Sequence, residues 1–154
     1  LTKEQIKLIN NIKQLILTIE APNLQSLEFL DECEKLTIFL QTLSVQNLVD
    51  PKEIRLTYLS NLLHLHALNL QQTGYFNFRN MRQIRFVELQ NATILGAHNF
   101  NMGFNIETVI IPKVVKIKEN CFSFCYHISY VEANELKIIG KYCFNESTTE
   151  IYAP

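Results

Sequence analysis

Phenylalanine recurs at Phe78, Phe100, Phe122 and Phe144, each separated from the next by 22 residues. A fixed period of this size marks a chain built from copies of one supersecondary unit. A second pattern keeps the same step: Ile84-x-x-Val87-x-Leu89, Ile106-x-x-Val109-x-Ile111 and Ile128-x-x-Val131-x-Ala133. Its last two apolar positions alternate as a short strand requires, with the residue between them on the opposite face. One copy cannot hide its apolar face alone, so the copies must stack, with parallel strands pairing between neighbours and the phenylalanines forming an internal column.

The earlier half of the chain is less regular. The same frame fits there as Leu65-x-x-Leu68-x-Leu70, Leu36-x-x-Phe39-x-Gln41 and Ile16-x-x-Ile19-x-Ala21, with intervals of 29, 20 and 19 residues where they depart from the period. In this frame the segment from Leu43 to Leu59, with Asp50-Pro51, lengthens one copy and bulges outward. At the other end Ile151-Tyr152-Ala153-Pro154 repeats the pattern of Val109-Ile110-Ile111-Pro112, so a further copy is expected to begin there and to be cut off. Residues 1–15 read as an amphipathic helix: Thr2 and Gln5 form a capping box, Leu1 and Ile6 a hydrophobic staple, and Ile6, Ile9 and Ile12 share a face. Such a helix could cover the first copy or be the tail of a preceding one. The expected organisation is one repeat domain over 1–154, with a helical segment over 1–15 and repeats over 16–154.

Composition narrows the function classes. Lys and Arg total 14 against 15 for Asp and Glu, so no net field draws the whole surface to nucleic acid or an anionic membrane. No apolar run approaches the length of a bilayer span, and Leu1-Thr2-Lys3-Glu4-Gln5 lacks the pattern of a signal peptide. The chain does not start with Met and can be a piece of a longer protein, so a missing leader says little about location. Glycine and proline number only four each, which means that closely spaced turns must be made by other residues.

In the last third of the chain stand Ile106-Glu107-Thr108-Val109-Ile110-Ile111-Pro112, followed by Val115-x-Ile117-x-x-x-x-Phe122-x-x-Cys125-x-x-Ile128. Over this stretch the chain resembles the BspA-like leucine-rich repeat family. The likeness is clearest over 100–144, where Cys121 and Cys143 stand in place of the family's alanine before phenylalanine. The resemblance implies an α/β leucine-rich-repeat solenoid. Short parallel strands would line its concave side, irregular or short 3-10 segments its convex side, with the N-terminal helix at one end. It also implies proteins of the cell surface that adhere to other proteins, without shared catalytic residues; an intracellular scaffold remains an alternative.

Four cysteines, Cys33, Cys121, Cys125 and Cys143, fit no strong zinc spacing. Because Cys121 and Cys143 occupy one position in successive copies, buried reduced thiols used as small apolar residues are the favoured reading, with a disulfide between neighbouring copies the competitor. His64 and His66 flank Leu65 in a strand-like run, with no acidic residue beside them in sequence to orient a ring, and read as surface histidines rather than metal ligands. Neither a nucleophile elbow nor a phosphate-binding glycine loop occurs. No catalytic residue, metal or cofactor is therefore expected. Asn91-Ala92-Thr93 and Asn145-Glu146-Ser147 are glycosylation sequons, relevant only on a secretory route.

In the strand frame two rows of residues point outward. One is Thr18, Ile38, Ala67, Phe86, Thr108 and Tyr130; the other is Glu20, Leu40, Asn69, Glu88, Ile110 and Glu132. Their C-terminal part, Phe86, Glu88, Thr108, Ile110, Tyr130 and Glu132 together with Arg85, mixes aromatic anchors, charge and apolar area as interfaces do. The expectation is a non-catalytic module that binds a protein partner on this face. The alternative is a structural spacer within a longer array.

Overall fold

The computed structural model describes residues 61–147 throughout, together with Glu4 and the backbone of Leu17–Glu20 and Leu40–Ser44. Six short strands pair side by side in parallel: β1 (Leu17–Glu20), β2 (Leu40–Ser44), β3 (His64–His66), β4 (Phe86–Glu88), β6 (Thr108–Ile110) and β8 (Tyr130–Glu132). A second parallel sheet joins β5 (Ile94–Leu95), β7 (Lys116–Ile117) and β9 (Ile138–Ile139). The chain therefore winds as a solenoid, each coil adding one strand to the long sheet and then, from β5 onward, one to the short sheet.

Register is set by the apolar pattern. Leu65 pairs with Val87, Val87 with Val109 and Val109 with Val131, and each of these four central residues is at most 1% exposed. A one-residue slip would turn this buried row into solvent, and the period of two along each strand forbids it. Behind the row the phenylalanine column is present. Rings of Phe78 and Phe100 lie 5.2 Å apart and nearly parallel, Phe100 and Phe122 likewise at 5.2 Å, and Phe122 and Phe144 at 5.4 Å. Phe78, Phe100 and Phe122 are wholly buried, whereas Phe144 is only partly covered.

The N-terminal frame needs correction. His64, Leu65 and His66 form β3, so the copy reads Leu62-x-x-Leu65-x-Ala67 and not Leu65-x-x-Leu68-x-Leu70. Ala67, expected to point outward, is fully buried, and Asn69 lies exposed outside the strand. Leu43 of β2 pairs with Leu65, again 22 residues on, while the segment after Ser44, expected to bulge outward, lies outside the described residues. The outward rows are therefore His64, Phe86, Thr108, Tyr130 and His66, Glu88, Ile110, Glu132. Ile38, Cys33, the copy expected at Ile151 and, apart from Glu4, the helix expected over 1–15 lie outside the described residues.

Among residues 61–147 no helix occurs, and the return path is made of turns. Two positions per coil hold a left-handed backbone: Phe76, His98, Asn120 and Tyr142 in one series, Asn80, Met102, Phe124 and Glu146 in the other, with φ between 54° and 64° and not one glycine among them. This is how a glycine-poor chain turns every few residues, and two reversals so close together interrupt any helix. Each such residue costs about 1–2 kcal/mol in backbone energy. The compensation is a third hydrogen-bond ladder. The N–H groups of His98, Phe100 and Met102 donate to the carbonyls of Glu119, Cys121 and Ser123 at 3.1, 2.8 and 3.0 Å, and Asn120, Phe122 and Phe124 repeat this one coil further on. Glycine is kept for close approach: a β-carbon on Gly96 would collide with the carbonyl of Gly74 in the preceding coil.

One buried position of the repeat is occupied in turn by Asn77, Asn99, Cys121 and Cys143. Asn99 Nδ2 donates to the Gly74 carbonyl at 2.7 Å, and the Cys143 thiol makes the equivalent bond to the Lys118 carbonyl at 2.7 Å. Cys143 thus takes over an asparagine's role as donor as well as filling small apolar space.

Candidate functional site

The outer face of the long sheet gathers six of the seven residues singled out from the sequence, with the seventh at its rim. Phe86 and Glu88 come from β4, Thr108 and Ile110 from β6, Tyr130 and Glu132 from β8, with Arg85 just before β4. Parallel pairing sets Phe86 beside Thr108 and Thr108 beside Tyr130 in one row, and Glu88 beside Ile110 and Ile110 beside Glu132 in the next. Tyr130 is 46% exposed, while Phe86, Thr108, Ile110, Glu88 and Glu132 are half-buried by their neighbours.

Sequence reading left His64 and His66 out of this face, although a step of 22 residues back from Phe86 and Glu88 leads to them. Their rings flank Phe86. His66 packs on it at 5.1 Å between centroids, and His64 meets it edge-on at 6.3 Å. Phe86 is consequently a braced aromatic, with its ring packed between two histidines.

An acidic partner for His66, absent from its sequence neighbourhood, comes from the next coil. His66 Nδ1 donates to Glu88 Oε2 at 2.7 Å, and Gln90 Nε2 donates to Glu88 Oε1 at 2.7 Å. Burial pushes the Glu88 carboxyl up, but the hydrogen bonds from Gln90 and His66 and the charge of His66 outweigh it and hold the group below its ordinary value. At the rim Arg85 and Glu107 approach to 3.4 Å with more than half of the arginine side chain in solvent, a geometry that contributes little.

The thiols are poor candidates for chemistry. Cys121, Cys125 and Cys143 are free and buried, and burial raises all three above the ordinary thiol value, Cys125 to about 12. Thiols held protonated in this way are weak nucleophiles. Among the described residues no group of three or more His, Cys, Asp or Glu side chains could hold a metal ion, and no helix is long and apolar enough to cross a membrane. Of the two sequons, Asn145 is exposed. Asn91 has its amide engaged, donating to the Leu68 carbonyl at 2.8 Å and accepting from Lys113 Nζ at 2.6 Å.

A solenoid of parallel strands stacked at a period of 22 residues is consistent with a leucine-rich-repeat fold. A family model for the BspA type leucine rich repeat region, in six copies, matches residues 58–152, and the chain belongs to this family. The match extends well upstream of the segment in which the motif is clearest by eye. Repeats of this family are generally interaction or scaffold modules and typically non-catalytic. Neither the curated proteins nor the solved structures contain a match to the sequence.

Proposed function

We propose that the outer face of the long sheet holds a protein partner, with Phe86 and Tyr130 as anchors and Arg85, Glu88, Thr108, Ile110 and Glu132 around them. The observation that carries this reading is the alignment of these side chains across three hydrogen-bonded strands, with Tyr130 left 46% exposed. A rigid backbone fixes their spacing, and aromatic groups ringed by polar ones are the usual composition of an energetically dominant patch. The Glu88 carboxylate is already held by His66 and Gln90, which leaves Glu132 as the acidic group of the strands toward a cation on the partner.

A photo-crosslinking residue placed at Thr108, at the centre of the face, tests this against the same residue placed at Lys116 on the short sheet. The proposal expects one discrete adduct from position 108 and none from 116. Adducts from 116 alone would move the site to the other sheet, and none from either position would favour a spacer role for these repeats.

A further inference from the structure

Away from the outer sheet face, Arg79, Asn80, Arg82 and Met102 line an open pocket of about 250 Å³. It lies against the left-handed turns at Asn80 and Met102, which are equivalent positions in neighbouring coils. Both guanidinium groups are held in place. Arg82 lies over the ring of Phe104 with 5.7 Å from its central carbon to the centroid, and Arg79 over the ring of Phe76 at 5.5 Å. Arg82 Nε also donates to Asn80 Oδ1 at 2.9 Å, while the Arg82 carbonyl accepts from Asn105 Nδ2 at 2.9 Å.

Neither arginine has a carboxylate within ion-pair distance among the described residues, where the ion pairs are His66 with Glu88 and Arg85 with Glu107. Two like charges lining one pocket repel each other unless an anion lies between them. A guanidinium carries five N–H donors in a planar fork. With its Nε taken by Asn80, Arg82 still offers the pair of N–H groups on its terminal nitrogens. That edge matches a carboxylate or phosphate oxygen pair, and stacking on Phe104 means that little side-chain freedom is lost on binding.

We propose that this pocket is a binding site for an oxyanion, a carboxylate or phosphate group of a ligand, gripped by the terminal nitrogens of Arg82 and by Arg79. Met102 supplies an apolar wall for the carbon atoms that carry the group. The site is separate from the sheet face and does not depend on the reading given for it.

The test is a titration of the whole chain, following the arginine Nε–H signals in proton–nitrogen correlation spectra. Inorganic phosphate and glutarate are added in separate arms, at ionic strength held constant with sodium chloride. Saturable movement of the Arg79 and Arg82 signals is expected, with the Arg85 signal still. Movement with phosphate alone assigns a phosphate-bearing ligand, and with glutarate alone a carboxylate-bearing one. Arg82→Gln should weaken the apparent affinity by roughly tenfold or more while the variant keeps the wild-type fold by circular dichroism. Arg79→Gln gives the same reading should the first variant fold poorly. The proposal is overturned if neither anion produces a saturable shift, if Arg85 moves together with the other two, or if both variants bind as the wild type does.

Discussion

Nδ1 of His66 lies 2.7 Å from Oε2 of Glu88, and this contact ties together two successive coils across the outer face of the long sheet. An ionised carboxylate only accepts, so the proton sits on Nδ1 of His66, and the tautomer of the ring that braces Phe86 is fixed by a residue from the next copy.

The pair gives the face a pH dependence. Glu88 is held below its ordinary value, so it adds stability that is complete above the unfolded-state value of about 4.3 and is lost as pH falls through the lower folded-state value. Both side chains keep some exposure, 30% for His66 and 21% for Glu88, which limits the contribution to about 0.2–1 kcal/mol. Denaturant unfolding should therefore show Glu88→Gln less stable than wild type at pH 7 and equal to it near pH 3. A gap of the same size at both pH values would contradict the assignment.

The phenylalanine column makes a graded prediction. Phe122 is wholly buried between two stacked rings, and Phe122→Ala should cost about 3–5 kcal/mol through lost transfer energy and the cavity left behind. Among the described residues Phe144 has one ring stacked on it and is only partly covered, so Phe144→Ala should cost distinctly less. Equal losses in urea unfolding would contradict this grading.

Tyr142 tests the left-handed turns, since its side chain is 67% exposed and its φ is 57°. Tyr142→Gly should raise stability by up to about 1 kcal/mol by relieving the backbone. Tyr142→Val should lower it, because a β-branched residue tolerates this region worst. Thermal midpoints of the two variants should fall on opposite sides of the wild type.

The register of β3 can be checked with two leucines three residues apart. Leu65 is fully buried at the centre of the strand, and Leu65→Ala should cost about 2–5 kcal/mol. Leu68 is half-buried outside the strand, so Leu68→Ala should cost clearly less. The reverse order would restore the frame first read from the sequence.

These two leucines also show what the sequence makes legible. Phe78, Phe100, Phe122 and Phe144 lie in a chain stretch where one apolar pattern fits at one offset, and the column follows directly from their spacing. Around Leu62, Leu63, Leu65, Leu68 and Leu70 leucines are so dense that the same pattern fits at two offsets, and only the interval of 22 residues separates them. Apolar density alone favours the wrong offset, which takes His64 and His66 off the face. The left-handed turns left no trace of the usual kind, because the ladder between coils imposes that conformation on Phe76, His98 and Tyr142, and no local preference announces it. The pocket at Arg79 and Arg82 is hidden for a similar reason: its walls come from two coils, and sequence order does not show that Asn80 and Met102 are neighbours.

The central claim is that the outer face of the long sheet is the functional surface, and a capture experiment with matched variants tests it most directly. Wild type, a Phe86→Ala, Tyr130→Ala double variant and a Lys116→Ala, Lys137→Ala control on the opposite sheet are compared after circular dichroism has shown that all three fold. Partners held by the wild type and the control, and weakened at least about tenfold in the double variant, are the predicted result. Equal capture by all three chains, or equal loss from both variants, would contradict it.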